Sequence, residues 1–297
     1  MVGSNIKEHP MAINWNIIAP PSSELDLTNS EAVYAYISAN KPDLVIHAAG
    51  HVGGIQANTA QPVVFLERNA AIGRNIIMAA YNAGVRSLLN IASTCMYPRA
   101  CENPLREDML LTGALEPTNE GYALAKIMAT RLCQYISRED ENMLYRTIIP
   151  CNLFGRYDKF NPRNSHLLPA IIHKIHLAKL NNDPSVEIWG DGEARREFMY
   201  AGDISDAIMK AASNMDALPD LMNCGIGYDH TINSYYKAVA DVLGWYGEFK
   251  YDLSKPVGMN QKLCATDRQL EWGWSAPTSL SDGIKATYDF YLNEFIE

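Results

Sequence analysis

The stretch DLVIHAAG, residues 43–50, decides the fold. It is an apolar run with no polar alternation, closing on two alanines and a glycine. A strand with one face in water alternates polar and apolar residues, whereas a strand covered on both faces reads as a continuous apolar run. Residues 62–84, PVVFLERNAAIGRNIIMAAYNAG, follow with apolar side chains at helical spacing and stop at Asn82-Ala83-Gly84, a helix-ending sequence. SLLNIAST (87–94) reads as the next strand, GYALAKIMATRLCQYISRED (121–140) as a long helix, and YRTIIPCNLFG (145–155) as a further strand breaking at Gly155.

Strand–helix alternation of this kind predicts an α/β fold, a Rossmann-like doubly wound parallel sheet. Beyond Gly155 the texture changes. RYDKFNPRNSH is polar and loop-like, HLLPAIIHKIHLAKL has helical spacing, and VEIWGDGEARREFMY reads as strand–turn–strand. The expected division is a cofactor-binding region at 1–155 and a smaller α/β substrate-binding region at 156–297, with 197–220 returning to the first.

The chain of 297 residues is long enough for a sizeable core, and its 47% hydrophobic and 20% charged residues are ordinary globular composition. A net charge of −9 with no Lys/Arg cluster argues against a nucleic-acid partner. No apolar run reaches membrane-spanning length, and the opening MVGSNIKEHP lacks a signal peptide's basic-then-apolar order, so a soluble cytoplasmic protein is expected. Six cysteines lie scattered without metal or disulfide spacing and read as buried small hydrophobes; no metal site is expected.

Ligands of open parallel sheets bind beyond the carboxyl ends of the strands. Three stretches fall at such ends: Ala48-Ala49-Gly50, Ser93-Thr94-Cys95 and Pro150-Cys151-Asn152. Tyr122 opens the helix between the last two, one turn before Lys126. The chain holds three Tyr-x-x-x-Lys matches, Tyr122/Lys126, Tyr246/Lys250 and Tyr251/Lys255, so spacing alone selects none. Tyr246 stands in a glycine-marked, strand-like context, and Lys255 precedes Pro256, which discourages a helix. Context prefers Tyr122/Lys126. A nearby ammonium is expected to lower the phenol pKa from its usual value near 10 toward the working range of a proton donor, with Ser93 holding the carbonyl oxygen.

Taken together, HAAGHVGGIQAN, STCMYPR, LEPTNEGYALAK, NLFGRYDKFNPRNSHLLPA, WGDGEARREF and KPVGMNQK resemble the extended short-chain dehydrogenase/reductase family, and within it the GDP-L-fucose synthases. The similarity runs in register from Met1 to about residue 275. It implies 3,5-epimerisation and NADPH-dependent 4-reduction of a GDP-4-keto-6-deoxy-hexose. It implies Ser93, Tyr122 and Lys126 as the reductase triad, and Cys95 and His166 as the pair that moves protons at C3 and C5. A 4-keto group acidifies the hydrogens on both neighbouring carbons, and a thiol and an imidazole titrate close enough to neutrality to share those transfers. By the same resemblance Arg196 and Lys262 hold the nucleotide diphosphate, and Asn152, His166 and Trp189 contact the nucleotide sugar. The cofactor would lie against Gly3, Ala48, Ala49, Gly50, Tyr122, Lys126, Pro150, Asn152 and Leu153. A homodimer through helices 62–82 and 121–140 is also implied.

Each residue alone has a plainer reading. Ser93 can cap a turn, Cys95 and Trp189 can be core, His166 can start a helix, and Arg196 and Lys262 can be solvated charges. The sequence also departs from the family. Met1-Val2-Gly3 matches only the tail of a Gly-x-x-Gly-x-x-Gly turn, predicting an empty central position in the sheet with exposed edges and apolar surface, poor stability and weak cofactor binding. Ala19-Pro20-Pro21-Ser22-Ser23 lacks the Arg that meets a 2′-phosphate, so NADP(H) is expected with NAD(H) open. His51 replaces the usual Lys. Alternatives are a GDP-hexose or GDP-heptose C4 reductase without epimerase activity, and a non-catalytic nucleotide-sugar-binding homologue.

Overall fold

The computed structural model describes residues 1–161, 165–255 and 259–295. In chain order, α1 (Val2–Glu8) and α2 (Ser30–Asn40) precede β1 (Leu44–His47), α3 (Ile55–Ala60) and α4 (Pro62–Asn82). Next come β2 (Ser87–Ile91), α5 (Glu120–Glu139), β3 (Leu144–Pro150) and β4 (Asn152–Phe154). The second half contains α6 (Leu167–Asn181), β5 (Ser185–Trp189), β6 (Arg195–Arg196), β7 (Phe198–Tyr200), α7 (Ala201–Ser213) and β8 (Leu221–Cys224). It closes with β9 (His230–Thr231), α8 (Ile232–Leu243), β10 (Glu248–Asp252), β11 (Gln261–Lys262), α9 (Asp267–Glu271) and α10 (Leu280–Phe295).

Strands β1, β2, β3 and β8 form the expected parallel sheet, in the order β1-β2-β3-β8. Leu88, Leu89, Ile148 and Met222 along it are fully buried, as continuous apolar runs require. Helices α4 and α5 cover one face, with Ile77, Ala80, Ala129 and Cys133 in one apolar cluster. Helices α1 and α7 cover the other, where Ile6, Ile204 and Ile208 pack on Leu89 and Ile148. Helix α4 ends as its sequence predicts, at Gly84 with φ +75°. A Cβ at Gly73 would lie 3.1 Å from that of Ala129, so this glycine permits α4 and α5 to approach closely. A second core forms among α6, α8, α10 and β5, around Ile171, Ile175, Tyr235 and Ile284.

One expectation needs correction. The stretch 145–155 is not one strand. The central sheet ends at Pro150, whose nitrogen has no hydrogen to donate, and β4 then pairs with β7 in a separate sheet. The strand–turn–strand reading of 186–200 holds: Gly190 and Gly192 turn the chain at φ +74° and +76°, between β5, which pairs with β10, and β6, which pairs with β11 and β9.

Strand β1 is an edge: β2 is its one strand neighbour among the described residues. The segment before α2 stays outside the sheet, leaving Ile13 89%, Ile17 37% and Ile18 47% exposed. An exposed edge and apolar surface are as expected from the sequence, but no central position is vacant among the described residues: the four strands pair in unbroken order. Five of the six cysteines are buried and Cys101 is partly exposed, all as free thiols. Among the described residues no helix is long and apolar enough to cross a membrane.

Candidate active site

The carboxyl end of β2 runs into Ser93, which caps a short 3-10 turn over Thr94–Met96, its Oγ accepting from the Cys95 amide at 3.4 Å. Capping and a place facing the crevice are therefore compatible for Ser93. Tyr122 lies in the first turn of α5, partly buried, and Lys126 one turn on is buried. The Lys126 Nζ donates to the Ile91 carbonyl at 2.9 Å and stands 5.8 Å from the Tyr122 ring centre. The helix face thus sets the pair side by side, and a strand-end carbonyl fixes the ammonium. The other Tyr-x-x-x-Lys matches are not helical: Tyr246 is 88% exposed before β10, and Tyr251 lies in β10.

Electrostatics gather Cys95, Tyr122, Lys126 and Lys262 into one neighbourhood. Burial pushes the Cys95 thiol above its usual range, opposed by the ammoniums of Lys262 and Lys126 and by a hydrogen bond with Ser93. Burial draws Lys126 down to about 8, with Cys95 opposing. For Tyr122 the expectation fails. Burial, with Cys95 adding to it, raises the phenol pKa. The phenol is therefore protonated at neutral pH.

Arg196 and Lys262 come from strands with matched register, Lys262 beside Arg196, so the parallel ladder turns both side chains to one face. Burial lowers both pKa values, and Lys262 also feels Cys95. Lys262 thereby links this cation pair to the Cys95 neighbourhood. A cleft of about 660 Å³ opens beside it, lined by Arg99, Asn103, Glu116 and Gln261 among others.

Asn152, first in β4, donates its side-chain amide to the Glu197 carbonyl at 2.8 Å; Leu153 follows it, and Pro150 ends β3. Trp189 ends β5 with 44% exposure, the ammoniums of Lys174 and Lys255 standing 5.4 and 5.5 Å from its ring centre. That is a cation-flanked platform rather than core. His166 is exposed at the N-cap of α6, with the buried Asp158 carboxylate as an electrostatic neighbour. It is not among the groups that act on Cys95.

Ala48 and Ala49 leave the end of β1 free of bulk. The adjoining loop is pinned to α4, the Asn69 side chain accepting from His51 N at 2.8 Å and donating to its carbonyl at 3.0 Å. Gly50 is exposed, and a Cβ there would meet Asn69 Oδ1 at 3.2 Å. Gly3 lies in the first turn of α1, where a Cβ would meet nothing within 4 Å. Small residues at successive strand ends leave room for a flat, extended nucleotide.

Sequence reasoning passed over three buried polar residues of this region: Glu197, Asn223 and His47. Asn223 and His47 interrupt apolar strands, and that polar interruption was the available signal; Glu197, behind Arg195 and Arg196, offered none.

A Tyr–Lys pair with its lysine buried, at the carboxyl ends of a doubly wound parallel sheet, defines a nucleotide-cofactor enzyme of the Rossmann class. The chain belongs to the NAD dependent epimerase/dehydratase family, whose sequence signature matches residues 1–225. It is accordingly an enzyme that works with a nicotinamide cofactor. It is 51% identical over 294 residues to GDP-L-colitose synthase of Yersinia pseudotuberculosis, covering 99% of this chain and 96% of that one. It is 49% identical over 299 residues to GDP-L-fucose synthase of Azorhizobium caulinodans, covering 100% and 96%. Among solved structures, the Campylobacter jejuni GDP-mannoheptose C4 reductase MlghC with NADP bound superposes with a TM-score of 0.88 at 28% identity, covering 98% of this chain and 95% of that one.

Proposed function

We propose that this enzyme carries out 3,5-epimerisation and NADPH-dependent 4-keto reduction of a GDP-linked 4-keto-6-deoxy-hexose, the reaction of GDP-L-fucose synthesis. The observation that carries the reading is the shared neighbourhood of Cys95, Tyr122, Lys126 and Lys262. A phenol, two ammoniums and a thiol gathered beside the end of β11 support that reading. The names of the relatives support a GDP-sugar, and the NADP-bound neighbour supports NADP(H).

In this reading Ser93 donates a hydrogen bond to the sugar's 4-keto oxygen. That bond, with the Lys126 field, strengthens as the oxygen gains charge. Cys95 and His166 exchange protons at C3 and C5 while the ketone is intact. Tyr122 then delivers its phenolic proton to the oxygen, and Lys126 stabilises the phenolate that remains. A bound nicotinamide cofactor would supply the hydride, and Gly3, Ala48, Ala49, Gly50, Pro150 and Leu153 would hold it. Arg196 and Lys262 clamp the diphosphate, and Trp189 and Asn152 hold the rest of the nucleotide sugar. The outer faces of α4 and α5 expose Val63, Leu66, Leu124 and Tyr135, which suits a homodimer, and buried free thiols suit a reducing cytoplasm.

A second reading, C4 reduction alone, is favoured by one observation: burial raises the Cys95 thiol pKa, which keeps it protonated at neutral pH. Deuterium uptake decides between them. With GDP-4-keto-6-deoxymannose in D2O and no NADPH, label entering C3 and C5 supports the epimerase; label at neither carbon leaves a plain reductase. Tyr122→Phe should cut the kcat of NADPH oxidation by roughly 10²- to 10⁴-fold with the label uptake intact. Undiminished oxidation by that variant would remove Tyr122 from the chemistry.

A further inference from the structure

Glu197 is fully buried, at 0% exposure, between β6 and β7. A carboxylate taken from water costs several kcal/mol unless its oxygens are met by donors. Here every partner is supplied by a different part of the chain. Oε1 accepts from the amides of Ile226 at 2.7 Å and Gly227 at 2.9 Å, in the loop that leaves β8. Oε2 accepts from the Cys264 amide at 2.8 Å, two residues past Lys262. The Glu197 carbonyl accepts from Asn152 at 2.8 Å, in β4. Arg196 is its immediate chain neighbour. Burial raises the carboxyl pKa, and the backbone donors, with the Cys264 thiol, pull it back down.

The approach of the β8 loop is closed to anything larger than glycine. A Cβ at Gly225 would lie 2.3 Å from Glu197 Oε1. Gln269 holds Gly225 from the other side, accepting from its amide at 2.8 Å and donating to its carbonyl at 3.0 Å. The loop therefore cannot drift while the carboxylate stays in place. Three buried thiols, Cys151, Cys224 and Cys264, surround the carboxylate, and their own pKa values are pushed well up, so none competes with it as an anion.

We propose that Glu197 is a positioning residue. Its carboxylate fastens the Arg196–Lys262 pair to the carboxyl end of β8, and so sets where a nucleoside diphosphate lies relative to the sheet. This rests on the reading of Arg196 and Lys262 as the diphosphate clamp. Glu197 touches no ligand; it acts through the segments it joins. The chemistry requires a carboxylate, because every partner of both oxygens is a donor. A glutamine must turn an NH2 group toward either the Ile226/Gly227 amides or the Cys264 amide, and two donors then face each other.

The test uses the full chain with GDP and NADPH as separate titrants in calorimetry, comparing wild type, Arg196→Ala and Glu197→Gln. The expected result for Glu197→Gln is GDP affinity weakened roughly ten- to a hundredfold, with NADPH affinity within about twofold of wild type. KM for the GDP-sugar should rise in step while kcat changes far less. GDP affinity unchanged in Glu197→Gln but lost in Arg196→Ala overturns the role of Glu197 and leaves the clamp standing. GDP that fails to bind wild type, with NADPH still binding, overturns the nucleotide-sugar reading and this one with it. Should Glu197→Gln fold poorly, amide hydrogen exchange on wild type gives the same decision. GDP should slow exchange at 225–228 and 262–266 together, because Glu197 joins the two segments. Slowing confined to 262–266 overturns the coupling.

Discussion

The central sheet is finished in opposite ways at its two edges. At β8 each polar group is answered. Asn223 N donates to Glu107 Oε1 at 2.8 Å, its side chain accepts from Tyr97 and donates to the carbonyls of Leu105 and Ala265, and the following loop is held by Glu197 and Gln269. At β1 the outer backbone edge has no strand beside it among the described residues, Leu44, Val45 and Ile46 are only partly buried, and the imidazole of His47 has a buried Nδ1 without a partner. The first edge carries the candidate substrate clamp and the second leads into the candidate cofactor cradle. One half of the site is thus fixed before any ligand arrives, and the other depends on what binds it.

The comparison is tested most severely at the closed edge. Asn223→Ala should strand the Tyr97 hydroxyl and the carbonyls of Leu105 and Ala265, costing roughly 2–4 kcal/mol in urea unfolding. A loss below about 0.5 kcal/mol would mean that this edge is no better tied than the other.

A smaller effect is expected from His47. Burial, with Lys126 adding to it, draws its pKa from 6.5 down to about 3. The unfolded chain therefore takes up a proton below pH 6.5 that the folded chain refuses. Stability owed to this group is whole above pH 6.5 and falls by about 1.4 kcal/mol per pH unit between 6.5 and 3. Burial also lowers His173 and His176, with the same sign. Comparing urea unfolding of wild type and His47→Leu at pH 7.5 and 5.5 isolates the difference. The wild type should lose about 1 kcal/mol more than the variant on acidification. Equal losses would place a proton on His47 in the folded state.

The smallest effect belongs to the open edge itself. Ile18→Lys, on a side chain 47% exposed, should change unfolding free energy by no more than about 0.5 kcal/mol while reducing self-association seen by light scattering. A large destabilisation would show that the segment before α2 is packed, and the contrast between the edges would narrow.

The layered α/β architecture was legible because buried parallel strands and amphipathic helices write themselves as unbroken and periodic apolar runs. DLVIHAAG, SLLNIAST and the helices at 62–82 and 120–139 are such cases. The split of 145–155 was not legible, since β4 leaves one sheet for another without any change in apolar texture. The pairing of β6 with β11 joins residues far apart in the chain, which no local pattern encodes. Tyr122 and Lys126 could be picked out by their place on a helix after a strand end. The direction of the Tyr122 shift could not, because spacing reports the neighbouring ammonium but not the depth of burial. Glu197 escaped notice for a related reason: in Arg195-Arg196-Glu197 it reads as one more surface charge, and only the fold reveals that three amides from two distant segments close around it.

The buried thiols have a practical corollary. Burial raises the pKa of Cys95, Cys133, Cys151, Cys224 and Cys264, so little thiolate exists at neutral pH and alkylating reagents must wait for local opening. The sulfurs are spread over separate cores: Cys133 between α4 and α5, Cys95 beneath Tyr122, and the remaining three around Glu197. The chain therefore carries a set of internal timers, and the order in which they are labelled reads out which part of the molecule breathes first.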